Sequence, residues 1–234
     1  LVMVSAGLIH QGGVQVLTAV PLQPVHHGRG QAGALVGAGI LGAHQLDHGD
    51  PVGAGHRVEG GHILSHLLVH IPIAAGTAIA ARVLGKDYYT YVVTGDGELD
   101  EGSNWEGLMT IRHYNLTNCI TIVDRNHCMI DGNTEDVMKL EPLADKFVAF
   151  GFHTIVCEGN NIVSLCKAID EAHKTKDKPT VIVADTIKGV GIKLTSGNYK
   201  WHYGAIDEEM AKVAAKDLDE YSAERIARCG KEFE

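Results

Sequence analysis

The chain has 234 residues, a formal net charge of −9 and 45% hydrophobic residues, enough to bury a sizeable α/β core. The acidic balance argues against a general nucleic-acid-binding surface. No apolar run approaches the roughly 18–20 residues of a membrane span, and the N-terminus lacks a signal-peptide pattern.

Residues 1–85 stand apart. They hold nine of the fourteen histidines and more than half of the glycines, but no Lys, Asn, Cys, Phe, Tyr or Trp. A stretch without aromatic side chains lacks its largest core fillers, and QAGALVGAGILGAHQ follows neither the helical nor the strand period. Residues 1–72 therefore read as a poorly specified Gly/His-rich segment, with the structured domain at 73–234. A flexible extension, a metal-binding His tract and sequence that encodes no native fold compete there. Without Cys or an HExxH pattern, metal binding by His26, His27, His44, His48, His56, His62, His66 and His70 is the weakest of these.

From about residue 72 the texture changes. IPIAAGTAIAARVLG predicts a small-residue helix stopped at Gly85, and YYTYVVTG (88–95) a strand. SNWEGLMTIRHY (103–114) predicts a helix whose Ser103 and Glu106 form a capping box. NCITIVD (118–124) is a second apolar strand, and TEDVMKLEPLADKFVAFG holds one or two helices ending at Gly151. FHTIVCEG (152–159), NIVSLCKAIDEAHKT and PTVIVADTI (179–187) read as strand, helix and strand. IDEEMAKVAAKDLDEYSAERIARC closes the chain as a helix. Near-continuous apolar strands alternating with helices predict a doubly wound, mostly parallel sheet with helices on both faces. Five cysteines without CxxC spacing (Cys119, Cys128, Cys157, Cys166, Cys229) predict reduced thiols and a cytoplasmic protein. Cys119, Cys157 and Cys166 lie in apolar runs and are expected to be buried.

Ligands of such sheets bind beyond the carboxyl ends of the strands. At one such end stands GDGELDEGSNWEG, with Asp96, Glu98, Asp100, Glu101 and Glu106 close together. A lone GDG is usually a turn. The next strand, however, ends in Asp124-Arg125-Asn126, so two consecutive parallel strands each finish with a hard oxygen donor. Asp96 and Asn126 can then meet at one divalent cation, with phosphate oxygens completing its shell.

GDG, an apolar strand and an Asn about thirty residues on resemble the thiamine-diphosphate motif. GDGELDEGSNWEG followed by VDRNHCMIDG is similar to the transketolase branch, and especially to its split N-terminal subunits. ADTIKGVGIKLTSGNYKWHYGAIDEE resembles that family's segment from K-G-x-G to W-H-x-G. The resemblance spans about residues 74–215.

It implies the thiamine-diphosphate-binding fold. Mg²⁺ would be held by Asp96, the Asn126 side chain and the Cys128 carbonyl, with Gly95, Gly97 and Glu98 along the cofactor diphosphate. Asp124 and Ile130 would lie towards the thiazolium, Ile130 as an apolar wall. Glu101 and Glu106 would face a partner near a dimer axis, and His202 would assist proton transfer at the substrate. The implied reaction is transfer of a two-carbon ketol unit between sugar phosphates. It would be active only with a C-terminal subunit carrying the pyrimidine-binding domain, in a dimer or heterotetramer. Upstream of residue 72 the family's glycine-rich turn and substrate histidines have no counterpart, which implies a domain missing part of its substrate channel. The rivals are a deoxyxylulose-phosphate-synthase-like or sulfosugar-specific transferase and a degenerate relative retained only for interaction, without catalysis. A dinucleotide-binding protein is disfavoured because no G-x-G-x-x-G opens a helix after a strand.

Overall fold

A computed structural model describes residues 70–229 together with a four-residue strand at 16–19. The histidine-rich tract before residue 70, and with it the choice among extension, metal site and non-native sequence, lies outside the described residues.

Strand β1 (Val16–Ala19) is followed by helix α1 (His70–Val83) and strand β2 (Tyr89–Gly95). A 3₁₀ turn at Gly97–Asp100 leads into helix α2 (Gly102–His113), strand β3 (Cys119–Arg125) and the short helices α3 (Thr134–Val137) and α4 (Leu143–Ala149). Strand β4 (His153–Glu158), helix α5 (Ile162–Lys174), strand β5 (Thr180–Asp185), a 3₁₀ turn at Tyr199–His202 and helix α6 (Glu208–Cys229) complete the chain. The sheet order is β1-β2-β3-β5-β4. The β2–β3, β3–β5 and β4–β5 pairs are parallel, and β1 adds an antiparallel edge.

The apolar runs of β3 and β5 are continuous because both of their faces are covered. Cys119, Val123, Val181 and Val183 share one core with residues of α1, α2 and α4, among them Ile71, Leu108 and Phe147. The alternate residues Ile120, Ile122, Ile182 and Ala184 pack against Ala168, Ile169 and Ala172 of α5. Period-two alternation thus sends successive side chains to opposite cores. Each fully buried Leu, Ile or Phe contributes roughly 1.5–3 kcal/mol.

Helix α1 buries Ala74, Ala75, Ala78 and Ala81, and small side chains let it lie close to α2. At Gly107 of α2 an added Cβ would stand 2.8 Å from the Pro72 nitrogen. Gly85, with φ +62°, follows the helix in the left-handed conformation of a C-terminal stop.

Two expectations are corrected. Helix α2 begins at Gly102, its N-cap is Glu101, and no side chain caps it. The Ser103–Glu106 capping box is absent because a 3₁₀ turn brings the N-cap two residues earlier, so Ser103 falls inside the first turn. Cys119 is buried, but Cys157 is half-buried and Cys166 exposed, because Cys166 sits on the outer side of amphipathic α5. All four of the thiols at Cys119, Cys128, Cys157 and Cys166 are free. No helix among the described residues is long and apolar enough to cross a membrane.

Candidate functional site

The β2–β3 register places Gly95 opposite Asp124, so the loops after the two strands leave the sheet side by side. The Asp96 N–H continues the ladder, donating to the Asp124 carbonyl at 3.1 Å. The Asp96 side chain is fully buried. Its Oδ1 accepts the Gly97 N–H at 2.8 Å. Its Oδ2 accepts the His127 N–H at 2.8 Å and an Arg125 Nη1 hydrogen bond at 2.7 Å. One carboxylate therefore fastens the β2 loop to the β3 loop.

Burial pushes the Asp96 carboxyl upward, against the opposing pull of Arg125 and the two backbone N–H groups. A buried carboxylate needs such a counter-charge. Arg125, 3% exposed, supplies it while also binding Glu135 at 2.8 Å and Glu141 at 2.9 Å. Burial alone would lower its own pKa, but the bonds to Asp96 and Glu141 outweigh this and raise it.

Asn126 forms an Asx-turn, its Oδ1 accepting the Cys128 N–H at 3.0 Å while its Nδ2 donates to Asp124 Oδ2 at 3.0 Å. The other Asp124 oxygen accepts the Thr186 hydroxyl. His127, at φ +63°, turns the chain between them. Cys128 bridges antiparallel to Asn133. The flanking residues make that bridge's hydrogen bonds, Met129 N–H to the Gly132 carbonyl and Thr134 N–H to the His127 carbonyl. The Cys128 carbonyl is thus not spent in the bridge.

The residues around GDG divide sharply. Gly95 has no atom within 4 Å of where a Cβ would stand, whereas a Cβ on Gly97 would lie 2.9 Å from Met129 Cβ. One glycine thus leaves open space and the other permits close loop packing. Glu98 is not a solvated loop charge: it turns inward to pair with His70 Nδ1, and its side chain is 9% exposed. Glu101 and Glu106 are exposed, and Ile130 is 53% exposed.

His202 ends the second 3₁₀ turn. Burial and the Lys188 charge hold its imidazole below the usual range, and its Nδ1 is buried without a hydrogen-bond partner. The same segment approaches the β3 loop, with Cys128 Sγ 4.0 Å from the Gly197 carbonyl. The fold thus gathers Gly95, Asp96, Gly97, Asp124, Asn126 and Cys128 on one rim. Glu101 and Glu106 lie on the start of α2, and His202 on the approaching segment.

Arg125 and His70 carry no sequence signal that marks them as site residues. An Arg after a strand reads as a surface cation, and its partners Glu135 and Glu141 arrive only through the fold. The one visible hint is that Arg125 stands between Asp124 and Asn126, both candidate site residues.

Among the described residues no three His, Cys, Asp or Glu side chains gather as a metal cluster. The set on the rim is of another kind: one carboxylate, one side-chain amide oxygen and a main-chain carbonyl. Such hard oxygens suit Mg²⁺ that keeps phosphate ligands. Asp96 Oδ1, with one N–H bonded to it, retains acceptor capacity.

The chain is 38% identical over 164 residues to an apulose-4-phosphate transketolase subunit from Actinobacillus succinogenes, covering 70% of this chain and 59% of that protein. It is 36% identical to the 6-deoxy-6-sulfo-D-fructose transketolase subunit of a Clostridium species, covering 64% of this chain and 54% of that protein. The chain therefore spans little more than half the length of these relatives. The transketolase structure from Campylobacter jejuni superposes with a TM-score of 0.61 at 28% identity, covering 64% of this chain and 25% of that one. Residues 77–223 match the family described as transketolase, thiamine diphosphate binding domain. That span contains the four parallel strands and both rim loops, and by it the chain belongs to the transketolase thiamine-diphosphate-binding family.

Proposed function

We propose that this chain is the diphosphate-binding subunit of a split transketolase, moving a two-carbon ketol unit between sugar phosphates in the cytoplasm. The observation that carries the reading is the junction of the two rim loops through the buried Asp96 carboxylate, which bonds the backbone N–H directly after Asn126. Asp96, Asn126 and the Cys128 carbonyl would hold Mg²⁺. Gly95, Gly97 and Glu98 would lie along the diphosphate, with Asp124 and Ile130 towards the thiazolium. When bound, thiamine diphosphate supplies an electron sink for the carbanion left by cleavage of the ketose.

The chain's own residues then have separable tasks. The open face of Gly95 admits an anion close to the backbone. Burial and the Lys188 charge favour the neutral form of the His202 imidazole, which would take a proton from a substrate hydroxyl and return it. Exposed Glu101 and Glu106 would meet a C-terminal subunit carrying the pyrimidine-binding domain, in a dimer or heterotetramer. The names of the relatives support a two-part assembly, since both are transketolase subunits.

Calorimetry with thiamine diphosphate and Mg²⁺, repeated with the pyrimidine-domain subunit, tests the reading. Mg²⁺-dependent binding that Asp96→Ala abolishes is the expected result. Binding that ignores both Mg²⁺ and Asp96 would overturn it.

A further inference from the structure

We propose that Arg125 is a positioning residue for the cofactor site: it fixes the Asp96 carboxylate so that one oxygen faces the cation, and it ties that oxygen's orientation to the 134–141 loop. The inference rests on the cofactor-site reading above and adds a residue to it.

The argument begins with how the two Asp96 oxygens are used. Oδ2 is occupied twice over, by Arg125 Nη1 at 2.7 Å and the His127 N–H at 2.8 Å, with the Thr134 hydroxyl a further 3.5 Å contact. Oδ1 carries the Gly97 N–H alone. A carboxylate with one oxygen held by a guanidinium cannot rotate to exchange the two. Arg125 and the His127 N–H together therefore select the oxygen left with acceptor capacity, and Arg125 is the side chain that does so.

Four further hydrogen bonds, to three residues, in turn hold the guanidinium. Nη1 also donates to Thr134 Oγ1 at 2.6 Å, Nη2 donates to Glu135 and Glu141, and Nε donates to Glu141 at 3.2 Å. Thr134 is fully buried, and its hydroxyl accepts from Arg125 while donating towards Asp96. Glu135 and Glu141 hold the loop in place by accepting the Leu140 and Leu143 N–H groups. A planar fork of five N–H donors can serve all these acceptors at once, and a lysine ammonium cannot. The arrangement matches the groups behind metal-binding carboxylates that set ligand orientation, whose loss typically weakens metal affinity ~10–100-fold.

Three variants of this chain separate this role from a merely structural one. Arg125→Lys keeps the charge but loses the fork. Arg125→Met removes both, and is read only if its circular dichroism matches the parent. Ile169→Val is the stability control: it lowers packing in the separate core between the sheet and α5, away from the Arg125 network. Each is titrated calorimetrically with thiamine diphosphate at fixed Mg²⁺, and with Mn²⁺ followed by its free-ion electron paramagnetic resonance signal. Melting temperature is measured alongside.

The expected result is a ~10–100-fold loss of Mn²⁺ and cofactor affinity in Arg125→Lys, against a change of less than about threefold in Ile169→Val even where its melting temperature falls. Wild-type-like affinity in Arg125→Lys overturns the positioning role while leaving the cofactor reading intact. So does equal loss of affinity in Arg125→Lys and Ile169→Val. Absence of cofactor and Mn²⁺ binding in the unmutated chain, with and without the pyrimidine-domain subunit, overturns the cofactor reading itself and the inference with it.

Discussion

Gly95 and Gly97 flank the same aspartate yet should fail in opposite ways when replaced by alanine. A Cβ at Gly97 would stand 2.9 Å from Met129 Cβ and 3.3 Å from Met129 Cε, with Met129 Cα at 3.7 Å. Ordinary van der Waals contact begins near 3.4 Å, so about half an ångström must be found. The thioether end of Met129 can swing away, but its Cβ moves only with the backbone of the 126–132 loop. Overpacking of this kind costs about 1–3 kcal/mol. In a domain of this size each kcal/mol moves the melting temperature by about 2–4 °C. Gly97→Ala should therefore melt about 2–12 °C lower and, because the displaced loop carries Asn126 and Cys128, bind thiamine diphosphate more weakly. At Gly95 nothing lies within 4 Å. Gly95→Ala should keep the parent melting temperature to within about 1 °C, while the added methyl enters the space assigned to the diphosphate and lowers affinity on the order of tenfold. Thermal melts and calorimetry on both variants decide the matter. Parent-like melting of Gly97→Ala would refute the packing argument, and parent-like cofactor affinity in Gly95→Ala would refute the cradle.

Thiol reactivity should follow burial. Cys119, whose pKa burial pushes to about 12, should resist alkylation at pH 8 until the chain unfolds, while exposed Cys166 reacts at once; peptide mapping showing the reverse order would contradict the core assignment. The depressed His202 value gives stability that is complete above the unfolded value of about 6.5 and is lost as pH falls below it. His202→Asn should therefore flatten the fall in melting temperature between about pH 7 and pH 5, and an unchanged slope would count against the burial of that ring. Trp105 stacks on Phe147 at 5.7 Å and donates its Nε1–H to the Leu99 carbonyl at 2.6 Å. Trp105→Phe keeps the stack, loses the bond and should cost roughly 1 kcal/mol in urea denaturation; a loss above about 3 kcal/mol would mean that the indole carries packing the geometry does not show.

The parallel strands were legible because β3 and β5 are buried on both faces, and their continuous Ile/Val runs have no other soluble explanation. The pairing of Asp96 with the Asn126 loop was legible because parallel strands share a rim. Three things were not. The start of α2 was hidden by the 3₁₀ turn, which moves the helix to Gly102 and leaves Asn104 buried inside it, its side-chain oxygen accepting the Ile71 N–H at 3.4 Å. The role of Arg125 was hidden because its anchors lie 9 to 29 residues away in sequence, a distance that no local pattern spans. The inward turn of Glu98 depended on His70, which stands 28 positions earlier and carries no motif of its own.

A run of five acidic residues at one strand tip looks electrostatically costly, and the fold resolves it by sending each to a different place. Asp96 goes into the interior against Arg125, and Glu98 turns to His70. Asp100 remains near enough to Asp96 that burial and that neighbouring charge raise its pKa. Glu101 caps α2 through its backbone, and Glu106 lies exposed on the helix. Only one of the five carboxylates thus stays at the junction of the rim loops, where the other oxygens come from an amide and the main chain. This has a consequence for ligand choice. A cation held by three carboxylates would be over-neutralised and would repel a diphosphate, whereas one held by a single carboxylate and neutral oxygens keeps net positive charge for it. Dispersal of the acidic run is therefore part of what would make the rim selective for a metal–diphosphate pair over a bare metal ion.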